Sequence, residues 1–368
     1  MLLKLWCKGK NFYDKGQGIN AEPLTKGMKN KSFIGIDISK NVIDASIFTE
    51  GASIKDFSHA VFNNSRKGFG GMVTWLKKNH VVLSNCLFGM EFTGSYSMEL
   101  EKFLNARKYQ FCMLSTHVIK HYPMGPKDKS DKIDSAKIAD FLYRYNGTEC
   151  VKPYEMPDKT MQRLKALINE RKFLVEQRTC FMNRRQLCTT KEDAQLYDSY
   201  IKKLSHDIEN IELEEQKLLA TDESLFTTYW NLLTIPGIGF VNAINVIVIT
   251  RNFTAFETAR QYASYVGVAP HFRTSGTSVR WRPRPSARCD VQAKADLSMA
   301  ATVAVQYDAE LQSFYNRKLG GKQDSDTKRK ALNAVKFKLV LRMFAIGKQN
   351  RKWEPLDSKS SNEKLAIS

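Results

Sequence analysis

The chain has 368 residues and a formal charge of +19, with 57 Lys and Arg against 38 Asp and Glu. A 42% hydrophobic content over that length supports two or three domains with real cores, while no apolar run approaches the ~18 residues of a membrane span. A helical membrane span is thereby excluded, and so basic a chain points to a polyanionic partner, nucleic acid before lipid.

Residues 1–31 carry Lys4, Lys8, Lys10, Lys15, Lys26 and Lys29 without a sustained period, and the stretch 2–6 is too short for a signal-peptide core, so a loosely ordered basic arm is expected. Next, Phe33, Ile34, Ile36 and Ile38, then Val42, Ile43, Ala45, Ile47 and Phe48, flank a polar Ser39-Lys40-Asn41 turn and predict two antiparallel strands. Asp37 interrupts the first. A carboxylate buried among β-branched residues is costly unless paired or metal-bound, so Asp37 requires a partner. Residues 81–90 form a second apolar run of strand length ending at Glu91, beside a Gly94 turn that opens a helix, where ligand sites of α/β sheets collect. Asp131 and Asp134, three apart, share one face of an amphipathic helix running through Leu142. Their repulsion would turn to attraction around a divalent cation. Oxygen donors with no His or Cys nearby suit Mg²⁺ or Mn²⁺ rather than Zn²⁺, and four carboxylates could hold two ions about 3.5–4 Å apart for phosphoryl transfer. Taken singly, the acids have a plainer reading, as helix N-terminal charges favoured by the macrodipole and a turn aspartate.

From 158 to 191 and from 193 to 220 the spacing predicts two long helices, the first basic and the second becoming acidic, as an antiparallel hairpin. Its charges either pair across the hairpin or leave the basic helix free to track phosphates. Pro236, Gly237 and Gly239 stand in a hydrophobe-Pro-Gly-hydrophobe-Gly stretch that reads as a helix-hairpin-helix turn presenting backbone N–H groups to a phosphate; a tight interhelical turn is the plainer account. After a helix over 256–266, residues 271–290 read as a long Gly/Ser/Arg/Pro-rich loop. Arg273, Arg280 and Arg282 are candidate phosphate clamps there, with Gly276 and Arg288 as further nucleic-acid contacts. Ser275, flanked by Gly276 and surrounded by arginines, could attack a phosphodiester, guanidinium groups stabilising the charge that develops. A helix of small residues from Val291 and a last amphipathic helix over 331–344 complete the fold, before a Ser- and Lys-rich tail read as disordered. Seven scattered cysteines, in no C-x-x-C pair, fit reduced thiols in a cytoplasmic protein.

Three segments carry a resemblance. Gly-Ile-Asp37-Ile-Ser-Lys, Glu91-Phe-Thr-Gly-Ser-Tyr and Lys-Ser-Asp131-Lys-Ile-Asp134-Ser-Ala-Lys-Ile-Ala together resemble the Asp-Glu-Asp-Asp signature of the insertion sequence one-ten family of transposases. The N-terminal domain of that family is similar to the Holliday-junction resolvase RuvC, in the ribonuclease-H-like superfamily. Residues 233–297 look like its C-terminal transposase domain, in Pro236-Gly-Ile-Gly239, in Tyr265-Val-Gly-Val-Ala-Pro270 and in Ser275-Gly276. The resemblance implies an α/β RuvC-like domain over 32–155, a helical hairpin over 156–222, a mainly helical C-terminal domain over 223–350, and terminal segments 1–31 and 351–368 outside them. It implies a Mg²⁺ site made by Asp37, Glu91, Asp131 and Asp134, and a nucleophile, Ser275, that becomes covalently joined to DNA, with Ser286 as second choice. A downstream family Ser-x-Arg-Gly corresponds to Ser286-Ala-Arg288-Cys289, where Cys289 replaces the glycine. Also implied are a dimer or tetramer, the serine coming from another subunit, and a noncoding guide RNA pairing with donor and target DNA. Two alternatives stay open: a junction-resolving nuclease using metal-activated water, and a catalytically silent nucleic-acid-binding protein.

Overall fold

The structure, a computed structural model, describes residues 32–92, 94–122, 130–148, 150–275 and 279–355. The basic arm and the tail from 356 therefore lie outside the described residues. The chain divides after Met156 into two compact units.

In the first unit the elements run β1 (Ser32–Ile38), β2 (Val42–Ile47), β3 (Ser58–Asn63), α1 (Arg66–Lys78), β4 (Cys86–Glu91), α2 (Met98–Ala106), β5 (Gln110–Leu114), α3 (Thr116–Lys120) and α4 (Asp131–Tyr145). They form one five-stranded sheet in the order β3-β2-β1-β4-β5, antiparallel across β1, β2 and β3 and parallel across β1, β4 and β5. The Ser39 turn closes the first hairpin, its backbone N–H donating to the Val42 carbonyl at 2.9 Å. The apolar run 81–90 is not one strand. Residues Leu83–Asn85 make a 3-10 turn, Val82 is exposed, and pairing starts only at Cys86. Ser84 and Asn85 favour local turns over the ladder. Sequence patterning also passes over β3, an edge strand of mixed polarity, and α1, whose buried Phe69, Met72 and Leu76 repeat at helical spacing behind a Ser65 cap but are diluted by three glycines.

Alternation along the strands divides the core. Ile34, Ile36, Ile38, Ile43, Phe88 and Met90 pack against α1 and α2, through Phe69, Met72, Leu100 and Leu104. Phe33, Leu87, Cys112 and Leu114 pack against α4, through Ile138, Phe141 and Leu142. Two glycines let α4 lie directly on the strands. A Cβ at Gly35 would stand 3.0 Å from Ile138 Cβ and closer still to the Ser135 carbonyl oxygen and Ala139 amide nitrogen, and a Cβ at Gly89 would stand 2.6 Å from Leu142 Cδ1.

The second unit opens with α5 (Lys159–Arg185) and α6 (Lys191–Ala220), packed as a hairpin. Arg163, Arg171 and Arg185 of α5 pair with Glu214, Glu212 and Asp198 of α6, so these basic residues serve the hairpin itself. Then follow α7 (Glu223–Leu233), α8 (Phe240–Thr250), α9 (Ala259–Tyr265), β6 (Pro270–Ser275), β7 (Val279–Pro285), α10 (Val291–Tyr307), α11 (Ala309–Leu319) and α12 (Ser325–Gln349). Where the composition of 271–290 suggests a loop, the structure has a two-stranded antiparallel ribbon, β6 with β7, its register shifting between His271 and Arg273. The β7 stretch Val-Arg-Trp-Arg-Pro-Arg-Pro alternates with period two, and a two-stranded ribbon has outer edges on which Pro283 and Pro285 need no ladder donor. The turn before α8 gives Gly237 a φ of +89°, and a Cβ there would meet Ala304 Cβ and N at 2.8 Å and, closer, the Ala300 carbonyl oxygen. The composition of this turn is thus explained first by its fit against α10.

Candidate active site

Of the four acids singled out above, Glu91, Asp131 and Asp134 come within electrostatic reach of Asp37. Asp37 sits on β1, whose Ile36 is paired with Met90, so the next step of the parallel ladder brings Asp37 beside Glu91 at the end of β4. Both acids lie two residues beyond a helix-contacting glycine, Gly35-x-Asp37 and Gly89-x-Glu91, and therefore share the sheet face that α4 covers. Asp131 and Asp134 begin α4, behind a Ser130 cap whose side chain accepts from Ile133 N–H. The path of α4 explains how they arrive there. Leu142 lies over Gly89 on β4, and Ala139 and Ser135 lie over Gly35 on β1. The Ser135 hydroxyl then bridges to Ser46 of β2 at 2.7 Å, in a buried hydrogen bond. The helix thus crosses from β4 over β1 to β2, and its N-terminal acids lie near enough to act on the Asp37 carboxyl.

The electrostatics follow from that convergence. Burial, reinforced by Asp131, Asp134 and Glu91, pushes the Asp37 carboxyl from 3.8 up to about 6, although its oxygen accepts from Ile38 N–H at 3.0 Å. Glu91 is raised as well, mainly by burial and further by Asp134, against a hydrogen bond from Thr116 that favours the ionised form. Lys137 pairs with Asp134 at 3.2 Å, while Asp131 is exposed. Among the described residues no three acids, histidines or cysteines converge into a ready-made metal cage. Even so, the donor set fits a hard divalent cation. It is all carboxylate, and Asp37 and Glu91, raised first by burial and then by neighbouring acids, are groups that a positive charge would return to the ionised form.

A fifth acid belongs to the same face. Asp44 on β2 is the direct cross-strand partner of Asp37, and it is buried, with His59 Nε2 at 2.7 Å from its Oδ1. Sequence reading passes over it because Asp44 looks like one polar position in an alternating strand. The signal that could have found it is the hairpin register: Ile38 pairs with Ile43 around the four residues 39–42, which sets positions 37 and 44 opposite each other.

In the second unit, Ser275 ends β6 opposite Val279, and Arg273 lies opposite Trp281. For Arg273, Ser275, Arg280 and Arg282 the backbone alone is described, and Gly276 lies outside the described residues. Ser286 Oγ accepts from the Arg288 backbone N–H at 3.1 Å, a local turn contact, and Arg288 is exposed. Cys289, where a glycine is expected, is not among the residues of positive φ. Its Sγ would stand 2.7 Å from a Cβ on Gly267, which itself has a φ of +68°. A glycine is therefore needed at 267 and not at 289. Pro236 and Gly237 are half-buried in the turn, whereas Gly239 is exposed, caps α8 without a side chain, and has open space where its Cβ would be.

Comparison with known proteins adds the following. Residues 34–188 match the family model of the IS110-type DEDD transposase, and residues 230–316 match that of the transposase IS116/IS110/IS902 family. The chain is similar to the pilin gene-inverting protein of Moraxella lacunata, 26% identical over 333 residues, which cover 88% of this chain and 98% of that one. The pilin gene-inverting protein of Moraxella bovis is similar to the same extent. A shorter likeness, 31% over 86 residues, joins it to the insertion element IS110 uncharacterized 43.6 kDa protein of Streptomyces coelicolor, covering 23% of this chain and 21% of that one. No helix among the described residues is long and apolar enough to cross a membrane.

Proposed function

The chain belongs to the IS110 family of transposases, enzymes that process DNA, and from that premise we propose that it cuts and rejoins DNA strands through a covalent serine intermediate. The observation that carries the proposal is the acid set, Asp37 and Glu91 on one sheet face with Asp131 and Asp134 at the start of α4, where burial and then the other three acids raise the Asp37 carboxyl. These four carboxylates hold Mg²⁺ or Mn²⁺, which when bound supplies charge stabilisation for a phosphoryl transfer.

Ser275 is the attacking group. Its Oγ forms a bond to the scissile phosphorus as the bond from phosphorus to the leaving deoxyribose oxygen breaks; the serine proton is lost and the leaving oxygen gains one. A deoxyribose hydroxyl of the recombining strand reverses the exchange and restores the serine, so no high-energy cofactor is consumed. Arg273, Arg280 and Arg282 of the ribbon neutralise phosphate, and Arg288 and the open amides at Gly239 add backbone contacts. The helix-hairpin-helix reading of the α7 turn rests on that Gly239 end, Gly237 being taken up by α10. A structured noncoding RNA selects the DNA, in a dimer or tetramer within the cytoplasm. The full-length likeness to two pilin gene-inverting proteins supports site-specific rejoining over simple cutting.

The test incubates the protein with Mg²⁺, DNA carrying the element's ends, and RNA transcribed from the flanking noncoding region. Denaturing gels then report protein joined to DNA. An adduct that forms in the wild type and is lost in Ser275→Ala and Asp37→Ala supports the proposal. Cleavage without an adduct, retained in Ser275→Ala, would make the chain a hydrolytic nuclease.

A further inference from the structure

We infer that Asp44 and His59 form a positioning pair for the cation site, Asp44 supporting the cation held at Asp37 from the neighbouring strand and His59 holding Asp44 in place. The inference rests on the reading of the four acids as cation ligands.

Three observations carry it. First, the β1–β2 register sets Asp44 directly opposite Asp37. Directly opposed residues of an antiparallel pair project to the same face, with Cβ atoms about 4.5–5.5 Å apart. The sheet therefore presents three acids in a row on adjacent strands, Glu91 on β4, Asp37 on β1 and Asp44 on β2. Second, the N-terminal turn of α4 leans toward β2. Ser135, the residue after Asp134, is hydrogen-bonded to Ser46, two residues along β2 from Asp44 and on the same face. The turn of α4 that follows Asp134 is thus held over β2, on the face that Asp44 shares. Third, Asp44 is held. Its Oδ1 takes the Nε2 of His59 on β3 at 2.7 Å, with side-chain exposures of 10% for the aspartate and 16% for the histidine. A buried carboxylate, Asp44, directly opposite a half-buried one, Asp37, is a costly arrangement for a strand pair whose only purpose is to pair. It is what a divalent cation needs, a second layer of acceptors that orient its water and ligands, and outer partners of this kind typically change metal affinity 10–100-fold.

In chemical terms, Asp37 is the ligand and Asp44 is the outer acceptor. With the ring proton on Nε2, His59 donates to Asp44 Oδ1, which leaves Oδ2 as the acceptor for the cation's water. The partner of the site is thus a hydrated Mg²⁺ or Mn²⁺, and the edge strand β3 enters the machinery through one histidine.

The measurement is Mn²⁺ affinity of the full chain, read from the free-ion signal in electron paramagnetic resonance, beside the Mg²⁺ concentration that half-saturates DNA–protein adduct formation. Asp37→Asn tests the underlying site and should abolish high-affinity Mn²⁺ binding; if it does not, the site reading fails, whatever Asp44 does. With that control passed, Asp44→Asn should weaken Mn²⁺ binding about tenfold and raise the half-saturating Mg²⁺ by a similar factor. His59→Ala should weaken both several-fold, and His59→Gln, which keeps an N–H donor at the same reach, should restore most of the loss. A folded Asp44→Asn that binds Mn²⁺ like the wild type would overturn the inference and leave a buried pair that only joins β2 to β3. If Asp44→Asn does not fold, the His59 variants decide: equal affinity in Ala, Gln and wild type overturns the inference, and loss in Ala with rescue in Gln sustains it.

Discussion

Gly35→Ala should separate the helix acids from the strand acids without touching any of them. A methyl group at position 35 would stand 3.0 Å from Ile138 Cβ and nearer to the Ser135 carbonyl oxygen and the Ala139 amide. Carbon contacts settle at about 3.5–4.0 Å, so the Ile138 contact alone asks α4 to retreat by about 0.5–1 Å. The two nearer neighbours are backbone atoms, which no rotamer change can move aside, so the helix must shift as a body. Overpacking of this kind costs about 1–3 kcal/mol. The shift also stretches the 2.7 Å Ser46–Ser135 hydrogen bond and carries Asp131 and Asp134 away from Asp37. An ångström of misplacement in a reacting constellation costs about 100-fold in rate. Urea unfolding and single-turnover adduct formation, run on the same preparations, would show both effects. Gly70→Ala in α1 is the control. Nothing stands within 4 Å of its Cβ position, so that variant should gain about 0.5–1 kcal/mol and keep its rate. A Gly35→Ala protein within about 0.5 kcal/mol of wild type and equally fast would show that α4 is not seated on β1 as described.

Three further outcomes follow from the same contacts. Asp37 holds its proton up to about pH 6 in the folded chain but releases it near 3.8 when unfolded. In chelator, stability should therefore fall as pH rises from about 4 to 6, by about 1–2 kcal/mol after allowing for solvent screening at a half-buried site, and level off above. Urea midpoints for Asp37→Asn should lack that part of the slope; parallel curves for the two proteins would count against the placement of Asp37. Gly237→Ala combines a φ of +89° with contacts to the Ala300 and Ala304 backbone, so it should cost more than 2 kcal/mol or prevent the second unit from folding. A thermal melt unchanged in that variant would refute the α10 contact. Arg342 is buried, with Nη1 at 2.5 Å from Asp308 and Nη2 at 2.5 Å from Glu310, beneath the Trp353 ring at 4.1 Å. Arg342→Met strands the buried Asp308 carboxylate and should cost about 3–5 kcal/mol in urea; a loss below about 1 kcal/mol would mean that water reaches the triad.

Local pattern determined a good deal of this protein. The β1–β2 hairpin follows from alternating apolar residues around Ser39-Lys40-Asn41, and the long helices α5 and α6 from uninterrupted helical spacing, because both signals are carried by neighbours in the chain. The acids of interest were legible as charges in apolar settings, where a carboxylate demands a reason. What composition misjudged was the 271–290 region, whose prolines and arginines read as a loop until the β6–β7 pairing supplied a partner strand. Only the tertiary structure decided the rest, since it depends on residues far apart in sequence. Gly35 and Gly89 look like incidental glycines until α4 lies on them. Gly237 looks like a phosphate turn until Ala300 and Ala304 of α10 stand against it. Asp44 looks like an ordinary polar strand position until the register sets it across from Asp37 and His59 arrives from β3. Spacing along a chain sets which face a side chain takes; which other chain segment waits on that face is settled by the close packing of sheet and helix.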